Sequence, residues 1–194
     1  AKTHSDWERL ASVHDAVEQS LLADGSVGLE LEDGQTHTVE GTDICASRFE
    51  LSGKSKQALA DGSRVILGRN FPGFAYADDE LAAALAHELA HNILGHKQWL
   101  DTQGRKRKAI RLTEREADRL MPWLLVNAGY DPAAAIRFMQ KWGPKHGGGL
   151  LRKRTHDGWD ERVENITAEL AQVKAVQKDG STADWSTHFR REIP

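Results

Sequence analysis

With a single cysteine, Cys45, in 194 residues, the chain has no internal disulfide, and its redox compartment stays open. No apolar run reaches the roughly 18–20 residues a membrane-spanning helix needs. The longest, Leu81 to Leu94, is interrupted by His87, Glu88 and His91. Neither charge dominates: 26 Lys and Arg against 29 Asp and Glu leave a net charge of −3, so no basic field marks nucleic acid as a partner. No signal peptide is visible. The chain opens at Ala1 without an initiator methionine, as expected of a processed or trimmed product from which an anchor or targeting segment could have been removed. What remains, 39% hydrophobic and 28% charged residues, is the composition of a globular protein with one well-filled core, and a single domain over 1–194 is expected.

The chain is organised around His87-Glu88-Leu89-Ala90-His91. On a helix, residues four apart lie about 6 Å apart along the axis and about 40° apart around it, so His87 and His91 face the same way. Two neutral imidazole nitrogens, an open position for water and a carboxylate one residue along are what zinc hydrolases require. His87 and His91 are the candidate ligands, and Glu88 is the candidate base.

Ahead of this stretch, Ser5 and Glu8 read as a capping box for a helix over residues 1–25. Leu10, Val13, Val17 and Leu21 form its apolar face, and Asp24-Gly25 ends it. From 27 to 68 short alternating runs (27–31, 36–40, 44–51, 64–67) predict a small, mostly antiparallel sheet, with a hairpin at Asp33-Gly34 and a turn at Asp61-Gly62. Its last strand, Arg64-Val65-Ile66-Leu67, directly precedes the histidine helix. It is either an ordinary sheet strand or an edge along the cleft that holds an extended peptide. Asp78 or Asp79 is expected to cap the central helix, whose core stripe is Leu81, Leu85 and Leu89, and Gly95 ends it. His96 follows only five residues after His91. The longer zinc motif places glycine and histidine three and six residues after its second histidine, where this chain has Leu94 and Lys97, so His96 is read as structural or exposed. The basic run 104–108 reads as a solvated loop.

A second helix within 78–128 carries Thr113-Glu114-Arg115-Glu116-Ala117-Asp118. Glu114 and Asp118 are four apart and share a face. Glu114 supplies the third protein ligand that two histidines leave missing. Asp118 is placed to accept a hydrogen bond from a ligating imidazole and fix its tautomer. Glu116 points elsewhere and is expected to be solvated. Pro122 is expected to kink this helix. Further on, Gly129 closes it, and Asp131 and Pro132 open the helices of 131–178. Val163, Ile166, Leu170 and Val173 face the core in the last of these. Gly147-Gly148-Gly149 is either a joint for a lid or a plain connector, and the tail 179–194 is either a packed terminal arm or an occupant of the cleft.

From about Gln57 to Leu170 the chain resembles the gluzincin peptidases that include HtpX and the CAAX prenyl proteases, with their soluble bacterial relatives. The resemblance is carried by Gln57-Ala58-Leu59-Ala60, Arg64 to Leu67, Asp79 to His91, Glu114 to Asp118, Ala128 to Pro132, and Thr155-His156 followed by Arg162. It implies a zincin-like, mainly helical α+β metallopeptidase fold whose edge strand, Arg64 to Leu67, borders the cleft. It also implies one Zn2+ held by His87, His91 and Glu114. His156 and Arg162 match the residues that in the family support the oxyanion. Protein or peptide substrates, cleaved internally, and a place in envelope protein quality control, hence the bacterial periplasm, are implied too. The chain departs from the family in having Gln57 for asparagine, Asp157 for proline and only 23 positions from His91 to Glu114, where many relatives insert additional helices. A competing expectation is a zinc-binding chaperone or adaptor on the same fold that hydrolyses nothing.

Overall fold

A computed structural model of the chain describes residues 6–42, 47–146, 158–178 and 183–193. The architecture is mixed α+β and mostly helical, with two small sheets. The chain divides into two compact units, Ala1–Cys45 and Ala46–Pro194.

In the first unit, helix α1 (Asp6–Asp24) ends at Gly25, whose positive φ of 70° lets the chain turn into the hairpin β1 (Ser26–Glu30) and β2 (Thr36–Glu40). The strands pair antiparallel from Ser26↔Glu40 to Glu30↔Thr36 around the expected Asp33-Gly34 turn. Of the α1 stripe, Val17 and Leu21 are half-buried while Leu10 and Val13 are exposed. Ser5 lies outside the described residues.

The second unit begins with β3 (Arg48–Leu51), β4 (Ala58–Ala60) and β5 (Arg64–Leu67) in the order β3-β5-β4. β3 pairs parallel with β5 and β4 pairs antiparallel with it. The strands of 27–68 therefore form two sheets rather than one. β5 is also not an edge: it is paired on both sides, so its backbone has no free groups to offer a peptide. The edges are β3 and β4, and the one along the cleft is β4, a three-residue strand too short to show an alternating pattern. Val65 and Leu67 enter the core, as alternation along β5 requires.

After a 3₁₀ turn (Pro72–Ala75), α2 (Asp78–Ile93) crosses the unit, followed by α3 (His96–Gln103) and α4 (Arg107–Asn127). Next come α5 (Ala134–His146), α6 (Trp159–Lys178) and the short α7 (Trp185–His188). The N-cap of α2 is Ala77, with no side-chain cap, so Asp78 and Asp79 act only as first-turn charges at the positive end of the helix dipole. The buried face of α2 is made of alanines, 83, 84, 86 and 90, and the leucine stripe 81, 85 and 89 is half-buried beside it. Small side chains let neighbouring helices approach closely, which brings α4 within ligand reach of α2. α4 runs on through Pro122, whose side chain is buried. Ile166, Leu170 and Val173 of α6 are buried as expected.

Candidate metal centre

The ligand atoms come from two helices. Along α2, His87 and His91 point the same way, and their Nε2 atoms stand 3.3 Å apart. From α4, Glu114 Oε2 lies 3.5 Å from His87 Nε2, and its Oε1 lies 3.5 Å from His91 Nε2. A tetrahedral ion bonded at about 2.0–2.1 Å holds its ligand atoms about 3.3–3.4 Å apart. Each histidine nitrogen meets a different oxygen of Glu114 at close to that spacing, and one ligand atom from each of the three residues lies within 4.8 Å of the others, so the groups converge where one ion could sit. The donor set, two imidazoles and one carboxylate, is one that zinc takes and that ferrous iron takes as well.

Each imidazole is held from behind through its other nitrogen. His87 Nδ1 lies 3.1 Å from Asp118 Oδ1, at an angle too bent for a linear hydrogen bond. Asp118 is fully buried and receives Arg162 in a fork, Nε at 2.6 Å and Nη2 at 2.7 Å, while Nη2 also lies 3.7 Å from Glu114. Two of Arg162's donors are thus committed to Asp118, from which position it braces the acidic side of the cage. His91 Nδ1 lies 2.8 Å from Nδ1 of His96. His96 is buried, not at the surface, and its Nε2 lies 3.0 Å from Glu116 Oε2. Glu116, expected in solvent, is fully buried. The signal for His96 was Gly95: in the left-handed conformation that ends α2, it folds the next residue back beside the last turn. Nothing in the local pattern marks Glu116, whose partners lie 20 and more than 70 residues away.

The electrostatics follow from these contacts. Burial alone would lower the His87 pKa, but the Asp118 and Glu114 carboxylates overcome it and raise it to about 10. His91 goes the other way, to about 3, through burial and the neighbouring His87 and His96, against the pull of Glu114. Burial lowers His96 despite Glu116. The cage thus favours one proton on one imidazole where a dication would supply two charges. Burial raises the Glu88 carboxyl above the usual range against His87; Glu114 reinforces the rise, while Arg162 and the Ala60 amide oppose it. For Asp118 burial is outweighed by Arg162 and His87, which keep it ionised.

A cleft of about 540 Å³ opens over the cage. Glu88, Arg162 and the three ligand residues line it, with the edge strand β4 along one side and Phe71, Phe138, Met139 and Trp142 at another. The turn joining β4 to β5 is tied to the metal helix: Asn92 accepts from the Gly62 amide at 2.8 Å and donates to Ser47 at 3.0 Å. His156 and the glycines 147–149 lie outside the described residues. Among the described tail residues none lines the cleft; Phe189 and Ile193 are buried, and Arg190, Arg191 and Glu192 bond to α4 side chains. No helix among the described residues is long and apolar enough to cross a membrane. Comparison with protein-family models and with curated proteins gives no match.

Proposed function

We propose that the chain is a zinc-dependent endopeptidase of the gluzincin type, with a zincin-like arrangement of α2, α4 and the small sheet. The observation that carries the reading is the convergence of His87, His91 and Glu114 within 4.8 Å, with Glu88 in the same cleft. A zinc ion there would supply Lewis-acid polarisation of a peptide carbonyl and a lowered water pKa, towards roughly 7. Glu88 sits one residue from the first ligand and has a raised pKa, so it can take a proton from water and return it to the leaving amine. Asp118 presents the Nε2 lone pair of His87 to the cage by engaging Nδ1. Arg162 holds Asp118 and Glu114 in place, and the resemblance gives oxyanion support to His156 with Arg162.

β4 orients the substrate. Asp61 N donates to Arg64 O at 3.1 Å and Gly68 N to Gln57 O at 2.9 Å, so residues 57, 59 and 61 face β5. By antiparallel alternation, Ala58 and Ala60 turn their backbone groups outward; the Ala60 amide meets Glu88, and the N–H and C=O of Ala58 are where an extended protein segment can pair. The deciding experiment measures bound metal and hydrolysis of an unfolded protein for wild type and Glu88→Gln. One zinc in each and turnover in wild type alone is the expected result. Zinc in both with no turnover in either, across a panel of unfolded substrates, would instead identify a metal-binding adaptor.

A further inference from the structure

We propose that His96 and Glu116 are positioning residues of the metal centre: a hydrogen-bonded chain from His91 through His96 to Glu116 sets the tautomer that leaves His91 Nε2 free to bind an ion. The inference rests on the metal-site reading above and adds two residues that no ligand motif contains.

The chain begins at its far end. Glu116 is fully buried on α4, and its carboxylate is ringed by donors: the Ile193 amide at 2.8 Å, the Glu192 amide, Arg191 Nη2 at 3.1 Å and His96 Nε2 at 3.0 Å. Two backbone amides and a guanidinium can only donate, so Glu116 stays an acceptor towards His96 as well. His96 Nε2 must then carry the hydrogen, and in a neutral imidazole Nδ1 is left with its lone pair. That lone pair faces His91 Nδ1 at 2.8 Å, so His91 carries its hydrogen on Nδ1. The one nitrogen left unprotonated is His91 Nε2, which stands 3.3 Å from His87 Nε2 in the cage. With Glu116 anchored from the other side of α4 by the segment 190–193, the direction of every bond is settled before an ion arrives. His87 is served by a carboxylate directly; His91 is served by one at a distance, through an intervening imidazole. Such outer partners typically account for about 10–100-fold in metal affinity.

The test uses the full chain and zinc itself, with Co2+ as a spectroscopic substitute. His96→Leu removes the acceptor behind His91. Glu116→Gln keeps the shape but lets an amide N–H face His96, which reverses the chain. Glu80→Gln is the control: Glu80 is equally buried on α2 and paired with Lys141, but has no link to the cage. Zinc affinity by chelator competition is expected to fall about 10–100-fold in both relay variants, with a shifted cobalt visible band. The control should stay within about twofold, as for sites that share no partner, even where it lowers the melting temperature of the metal-free protein. Unchanged affinity and an unchanged cobalt band in His96→Leu would overturn the inference, as would a control that moves both as far as Glu116→Gln. A wild type that takes up no zinc would instead remove the metal-site reading, and the relay with it.

Discussion

Asp118 and Arg162 show how much of the site is spent on holding the ligands rather than on being ligands. A fully buried carboxylate is costly unless its charge is answered, and here a two-pronged guanidinium and an imidazole answer it. Asp118→Asn keeps the volume but weakens both contacts. It is expected to reduce zinc affinity by about 10–100-fold, measured by competition with a chromophoric chelator. Equal affinity would show that Glu114 alone orients His87.

Glu116 gives a second residue-level expectation, in acid. Burial pushes its pKa up, but His96, the Ile193 amide, Arg191 and the Glu192 amide bring it down to about 2 from the ordinary 4.5. A folded pKa below the unfolded one adds stability above the unfolded value, and this is lost as pH falls through the window towards the folded value. Between about pH 5 and 2 the wild type should therefore lose on the order of 2 kcal/mol that Glu116→Gln does not have to lose. Thermal melts of the two proteins across that range would converge as acid is added. A constant gap would refute the ionised state of Glu116.

At the scale of elements, the proposed peptide site turns on β4. Because Ala58 faces away from β5, Ala58→Pro deletes an outward N–H and leaves the β4–β5 ladder intact. KM for an extended peptide should rise several-fold, by about one hydrogen bond's worth, while zinc content stays at one per chain. A KM unchanged by Ala58→Pro would send the peptide elsewhere in the cleft.

This same element marks where the sequence was readable and where it was not. The histidine helix, its end at Gly95, the hairpin at Asp33-Gly34 and the α6 stripe follow from periodicity and turn chemistry, both local. The sheet order does not. β5 reads from the sequence as an edge strand because the chain leaves it for α2, yet β3 arrives in parallel from earlier in the chain and closes one side. Pairing partners depend on the path of the whole chain, and a three-residue strand such as β4 has too few positions to show a period. Glu116 stayed hidden for the same reason, since its partners are distant in sequence, whereas His96 was announced locally by Gly95.

For the whole molecule, an ion held by His87, His91 and Glu114 would join α2 to α4 within the larger unit. An ion that binds only the folded form adds stability by mass action, about 2.7 kcal/mol at one hundred times its dissociation constant. Calorimetry should show the zinc-loaded protein melting above the chelator-treated one, with the gap growing as free zinc rises. A melting temperature indifferent to chelator would argue that no ion bridges the two helices.

Ala90 and Ala117 are both fully buried in the cluster that joins these helices. Their small side chains, packed among Leu94, Leu120 and Trp123, help fix the span from the imidazole pair to the helix that carries Glu114. Calcium, whose bonds to oxygen run to about 2.3–2.6 Å, would have to pry the helices apart and open gaps in that packing. A cage so built would gauge ionic radius, with part of its calibration in two alanines that are not among its ligands.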